Sequence, residues 1–132
     1  MNTTENNKLI AEFMSWDSNE SKTVFYEPTD EVQGIDGFTL ENLPFDNWNW
    51  LMEVVEKIES LKPIEFLSGR NWICFDVRIY KTFNTQTNYC VIKYLKESGD
   101  MTISNGFSKN NKKEAVYNAC VEFIKWYNKE NK

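Results

Sequence analysis

The feature that most constrains the fold lies near the C-terminal end. From about Lys112 to Asn128, the residues Ala115, Val116, Ala119, Cys120, Phe123, Ile124 and Tyr127 recur at the three- and four-residue spacing of one helix face. A stripe this broad has to be covered by another layer. Three of its members, Ala115, Ala119 and Cys120, are small, so the covering layer can come close to the helix backbone. Asn111, with Glu114 three residues on, forms a variant capping box at the start of this helix.

The covering layer reads as the three segments that precede the helix. In Trp72–Tyr80, Ile73, Phe75, Val77 and Ile79 alternate with Cys74, Asp76 and Arg78, the period of two of a strand with one buried face. Asn88–Lys96 is rich in strand formers, and its two sides compete: Cys90, Ile92 and Tyr94 against Tyr89, Val91 and Leu95. In a third strand, Met101, Ile103 and Phe107 alternate with Thr102 and Ser104. Glu97-Ser98-Gly99-Asp100 has the composition of a turn, and short connections make an antiparallel meander the simplest pairing.

Upstream, residues 48–62 predict a second helix. Asp46 or Asn47 is placed to cap it, Trp48, Leu51, Met52, Val55 and Ile58 share a face, and Pro63 stops it. Leu9, Ile10, Phe13 and Met14 predict a short helix over 7–14. Residues 15–46 are irregular and acidic, with short β pieces at Lys22–Tyr26 and Gly37–Leu40 and enough apolar residues to pack onto the rest. The reading is one α+β domain over 1–132. It has a helix–three-stranded antiparallel sheet–helix core (α-β-β-β-α) at 47–132 and an N-terminal helix and packed arm at 1–46.

Length and composition fit that reading. A chain of 132 residues suits one domain, and nine Phe, six Tyr and five Trp supply a large apolar area. The three cysteines, Cys74, Cys90 and Cys120, are widely spaced with no CxxC pair. They read as small buried hydrophobes rather than as a disulfide frame or a zinc site. The first residues lack a basic region followed by an apolar run, and no apolar stretch is long enough to span a membrane. The localisation reads as cytoplasmic.

Histidine is absent. That removes His-based acid–base catalysis, Ser/His and Cys/His nucleophile pairs and the commonest metal ligand. No glycine-rich phosphate loop, GxSxG or DxDxDG motif occurs either. The chain reads as a non-enzyme with no cofactor and no metal. The net charge of −5 is unevenly spread. Residues 1–66 carry four Lys against fourteen acids, and residues 67–132 carry eleven Lys or Arg against six acids. An acidic half suits a cationic partner, and a basic half suits an anion.

The opening NNKLIAEFM, the segment NWNWLMEVVEKIESL and the ending KKEAVYNACVEFIKWYN together resemble the small phage proteins grouped as the phage ABA-sandwich family. The sequence departs at Asn49, where that family tends to carry Asp, and at Glu53, where it tends to carry Pro. Where family members are often His-rich before the tryptophans, this chain reads LPFDN. The resemblance implies an α-β-α sandwich and a phage or prophage source. It implies no activity.

Two sets of residues are candidates for contact. Helix–three strands–helix is also the order of the double-stranded-RNA-binding domain, in which lysines at the start of the last helix grip phosphates. Here Lys109, Lys112 and Lys113 look similar, since a helix N-terminus adds free N–H groups to their charge. The likeness stops there. Val116 stands where a basic residue belongs, Thr82–Asn88 lacks the Pro and His of that loop, and the first core helix carries Glu53, Glu56 and Glu59. The second set is Trp48, Trp50, Asp76 and Arg78. The two tryptophans point about 200° apart on a helix, so one anchors and the other covers the arm or stays accessible. Asp76 and Arg78 share a strand face as an ion pair or partner contact, and Glu65 completes the one carboxylate set that resembles a reactive group. The favoured reading is a phage-derived, non-enzymatic protein-interaction module of the host cytoplasm, with an unknown host or phage protein as partner. The alternative is nucleic-acid binding through the start of the last helix.

Overall fold

The computed structural model describes residues 4–22, 24–26, 37–39, 42–45, 47–61, 72–96 and 101–130; for 72–74, 94–96 and 130 it describes the backbone alone. In chain order the elements are α1 (Thr4–Phe13), β1 (Asp17–Ser18), β2 (Val24–Tyr26), β3 (Phe38–Thr39), α2 (Trp48–Ser60), β4 (Trp72–Lys81), β5 (Asn88–Lys96), β6 (Met101–Ser108) and α3 (Lys112–Glu130). The fold is α+β, with two three-stranded antiparallel sheets in the orders β1-β2-β3 and β4-β5-β6. The helix–three strands–helix core is as the sequence predicts. The turn at 97–100, Glu65, Asp46 and Pro63 lie outside the described residues.

Helix α3 lies over β6 and β5, and α2 lies over β4 and against α3, so both helices share one face of the main sheet. That face is built from Phe75, Val77 and Ile79 of β4, Cys90 and Ile92 of β5, and Ser104, Gly106 and Ser108 of β6. The register resolves the ambiguity in β5. Cys90 pairs with Ile79 and Ile92 with Val77, so the inward parity of β4 fixes that of β5.

Strand β6 buries its small residues, a choice its alternation left open. Met101 and Phe107 are exposed and Ile103 is half-buried, whereas Ser104, Gly106 and Ser108 are buried. The cause is the close approach of α3. A Cβ on Gly106 would sit 2.3 Å from the Ala115 carbonyl oxygen and 2.7 Å from the Ala119 nitrogen. Only a glycine fits beneath the helix backbone there. One turn away, Ser104 Oγ donates to the Ala119 carbonyl at 2.9 Å. A register shift between Ile92 and Lys93 places an extra residue, Ile103, in β6.

Helix α3 is buried on two sides. Besides its predicted stripe, Tyr117 and Val121 are buried, because α1 and α2 also pack against this helix. Tyr117 Oη donates to Asn7 Oδ1 at 2.6 Å, a buried bond that ties the two ends of the chain together. Phe13 of α1 meets Phe123 and Tyr127 edge-on. In α2 the buried residues are Leu51, Val54, Val55 and Ile58. The apolar face is turned toward Val54, and Trp48 is left outside it.

The helix ends are closed locally. Asn47 Oδ1 accepts from Asn49 N at 2.9 Å, and Asn111 Oδ1 accepts from Glu114 N at 2.7 Å. The reciprocal arm of the expected capping box is relayed: Glu114 accepts from Ser108 Oγ, and Ser108 Oγ accepts from Asn111 N at 3.4 Å. Helix α1 ends in a Schellman motif. Trp16 N–H donates to the Ala11 carbonyl and Ser15 N–H to the Glu12 carbonyl, with Ser15 left-handed at φ 62°. Lys57 Nζ of α2 adds a hydrogen bond to the Phe13 carbonyl at 2.5 Å and lies 4.9 Å from the Phe13 ring centroid. Burial lowers the Lys57 amine from its ordinary value.

Candidate nucleic-acid interface

The expected contact residues are found in three separate places. Trp50 is partly buried and belongs to the arm: its ring meets Trp16 at 5.5 Å and Phe38 at 5.9 Å, and Trp16 also meets Phe45 at 5.1 Å. This aromatic cluster fastens the small sheet to the start of α2. Trp48, two residues earlier, is 40% exposed. Asp76 and Arg78 form an ion pair on the outer face of β4, with Nε to Oδ2 at 2.6 Å. Lys109, Lys112 and Lys113 are exposed at the junction of β6 and α3.

The outer face of the main sheet, opposite α2 and α3, follows from the register. It carries three cross-strand rows: Tyr80–Tyr89–Phe107, Arg78–Val91–Asn105 and Asp76–Lys93–Thr102. The aromatic row runs across all three strands. The Tyr80 and Tyr89 rings stack with centroids 5.3 Å apart and planes 18° apart, and Tyr89 lies 6.2 Å from Phe107. Tyr80 is 45% exposed and Phe107 64%. Phe83, in the turn that follows β4, is 89% exposed. That turn is held by Thr82, whose N–H donates to the Thr87 carbonyl and whose carbonyl accepts from Gln86, with Gln86 at φ 56°.

The aromatic row lies at the end of the sheet that also carries the lysines. Asn88 pairs with both Lys81 and Ser108, so Lys81 and Lys109 flank that end. Helix α3 begins four residues after β6 ends, and the Ser108–Glu114 hydrogen bond keeps its first turn there. Residues 77–96 and 101–113 contain Arg78, Lys81, Lys93, Lys96, Lys109, Lys112 and Lys113 and no Asp or Glu. Among the described residues, Lys81, Lys109, Lys112 and Lys113 join no ion pair.

Residue-by-residue reading missed the aromatic row for two reasons. Tyr89 belonged to the strand with two plausible faces, and Phe107 was counted with the hydrophobic side of β6. The usable signal was Tyr80, which has the same parity as Asp76 and Arg78 and therefore points outward.

The groups with displaced titration lie in the core. Burial pushes the Cys90 thiol up to about 12. Cys120 is raised well above its ordinary range by burial and then by the neighbouring Cys90. Both are buried free thiols and face one another across the β5–α3 interface. Among the described residues, no group of three His, Cys, Asp or Glu side chains is arranged to hold a metal ion, and no helix is long and apolar enough to cross a membrane. No protein-family model, no curated protein and no solved structure matches this chain.

Proposed function

We propose that this chain is a small, non-enzymatic nucleic-acid-binding module that works through the β4–β5 end of its main sheet and the start of α3. The observation that carries this reading is the meeting of an uncovered aromatic row with exposed lysines, in two stretches of chain without a single carboxylate. Lysines supply the salt-dependent attraction to phosphate, and exposed rings supply contact area for bases. The resemblance to small phage proteins supports a setting for this activity in the cytoplasm of a host cell.

The test is fluorescence anisotropy with labelled single-stranded and duplex DNA and RNA at about 50 mM salt, where phosphate contacts are strong. Binding by the wild-type chain is the expected result. Replacing Lys109, Lys112 and Lys113 together with Gln should weaken it at least about tenfold and flatten its salt dependence by about two to three counterions. No binding at micromolar protein, or binding untouched by the triple replacement, would end this reading.

A protein partner is the second reading, and Trp48 is the observation that favours it. The ring is exposed at the start of α2, and Glu53, Glu56 and Glu59 are exposed further along the same helix. An aromatic anchor beside carboxylates suits a cationic protein surface. Stoichiometric capture of a host protein that is lost on Trp48→Ala would favour it over the first.

A further inference from the structure

Resting on the nucleic-acid reading, we infer that Tyr80, Tyr89 and Phe107 form a stacking platform for the bases of a single strand. The nucleic acid lies across the sheet, with the β4–β5 turn and Phe83 at one edge of the platform.

The rings are placed by register, not by chance contact. Tyr80 pairs with Tyr89 and Tyr89 with Phe107, so one ring comes from each strand of a regular sheet. Adjacent strands lie about 4.8 Å apart, which fixes the rings as neighbours without any movement of the backbone. Tyr80 and Tyr89 are nearly parallel. Phe107 gains little by its position, because nearly two thirds of it faces water. A Thr there would serve a strand as well and would not expose apolar surface. Three large rings on a single exposed row are the kind of apolar patch that marks a binding surface.

The chemistry selects a single strand over a duplex. Stacking on a protein ring needs a base with a free π face, and a duplex has already stacked its own. A duplex seated at the start of α3, as in the double-stranded-RNA-binding domain, would also lie along α2. There the exposed Glu53, Glu56 and Glu59 repel phosphate. The sheet face has the opposite character. Its rows below the rings present Arg78, Lys93, Asn105 and Thr102, with Asp76 engaged by the Arg78 Nε. The side chains there can meet phosphates and base edges, and Lys81 and Lys109 stand at the two margins of the aromatic row. The same cationic border disfavours an apolar protein surface as the occupant.

The experiment compares strand types and rings in the full-length chain. Labelled oligonucleotides of about twelve residues, single-stranded and as a hairpin duplex of the same sequence, are titrated by anisotropy. The single strand should bind at least about tenfold more tightly. Phe107→Ala and Tyr80→Ala should each weaken single-strand binding by about tenfold, Phe107→Trp should retain it, and Phe107→Leu should not. Thermal melts of the variants, unchanged within a few degrees, show that the fold is intact. Equal affinity for duplex, or ring replacements without effect, would overturn the platform. If the lysine replacements alone still abolish binding, the wider reading stands and the platform falls. If neither strand type binds, both fall. A variant set that loses single-strand affinity with intact melts and an intact preference for Trp over Leu establishes the platform.

Discussion

The two faces of the main sheet have nearly opposite chemistry on the same three strands. The inner face uses large residues on β4, intermediate ones on β5 and only Ser104, Gly106 and Ser108 on β6. This gradient tilts α3 down onto β6 until its backbone nearly touches Gly106, while Phe123 fills the wider space near β4, meeting Phe75 at 5.0 Å. The outer face places its largest side chains where the inner face places its smallest: Phe107 lies between Gly106 and Ser108. Bulk inside follows packing. Bulk outside adds only cross-strand ring contacts, which supports the binding role proposed for the outer row.

Paired truncations of the same chemistry on the two faces would sharpen this contrast most. Phe123→Ala should cost about 3–5 kcal/mol in chemical denaturation, since it opens a cavity among Phe13, Phe75 and Tyr127. Phe107→Ala should cost less than about 1 kcal/mol, the size of a cross-strand pair on an open face. Equal losses would mean that the outer row is structural and would break the comparison.

Next in size is Gly106→Ala. The added methyl meets backbone atoms of Ala115 and Ala119 that cannot rotate away, so α3 must lift. A loss of about 3 kcal/mol is expected by denaturation, the upper end of ordinary overpacking. A neutral Gly106→Ala would show that α3 does not rest on position 106.

The smallest effect is on pH dependence. The Cys90 and Cys120 thiols are held above their unfolded values, near 9, so the folded state keeps protons that the unfolded state releases. The contribution of Cys90 is fully present below pH 9 and is lost as pH rises toward about 12, and that of Cys120 is lost in the same direction. Denaturation at pH 8 and pH 10 should show a drop of about 1 kcal/mol that Cys90→Ala reduces, and Cys120→Ala should reduce it in the same direction. Rapid labelling of either thiol in the native protein at pH 8 would contradict its burial.

The elements themselves were legible. The α3 stripe, the alternation in β4, the Asn47 and Asn111 caps and the order of the core all follow from local spacing, because a helix or strand writes its period into its own residues. Local spacing said less about which way a strand faces. In β5 both parities are apolar, and only pairing with Val77 and Ile79 chose Cys90 and Ile92. In β6 the alternation alone does not say which side is buried, because close helix approach demands the smallest residues there rather than the most hydrophobic ones. The roles of Asn7, Tyr117 and Lys57 were equally invisible, since their partners lie 110 and 44 residues away.

For the contact surface, the sequence supplied the lysines at 109, 112 and 113, the Asp76–Arg78 pair and the polarity of the two halves. It could not supply the aromatic row, whose members are nine and eighteen residues apart along the chain and adjacent only through strand register. By itself the sequence determined the helices and the three strands of the main sheet, because those choices rest on backbone geometry and neighbours within a few residues; the two-residue strand β1 is too short to carry a period. The tertiary structure alone decided which face of the sheet is closed and which is open. That choice depends on how near α3 can approach β6, and a single glycine without a side chain at position 106 sets the distance.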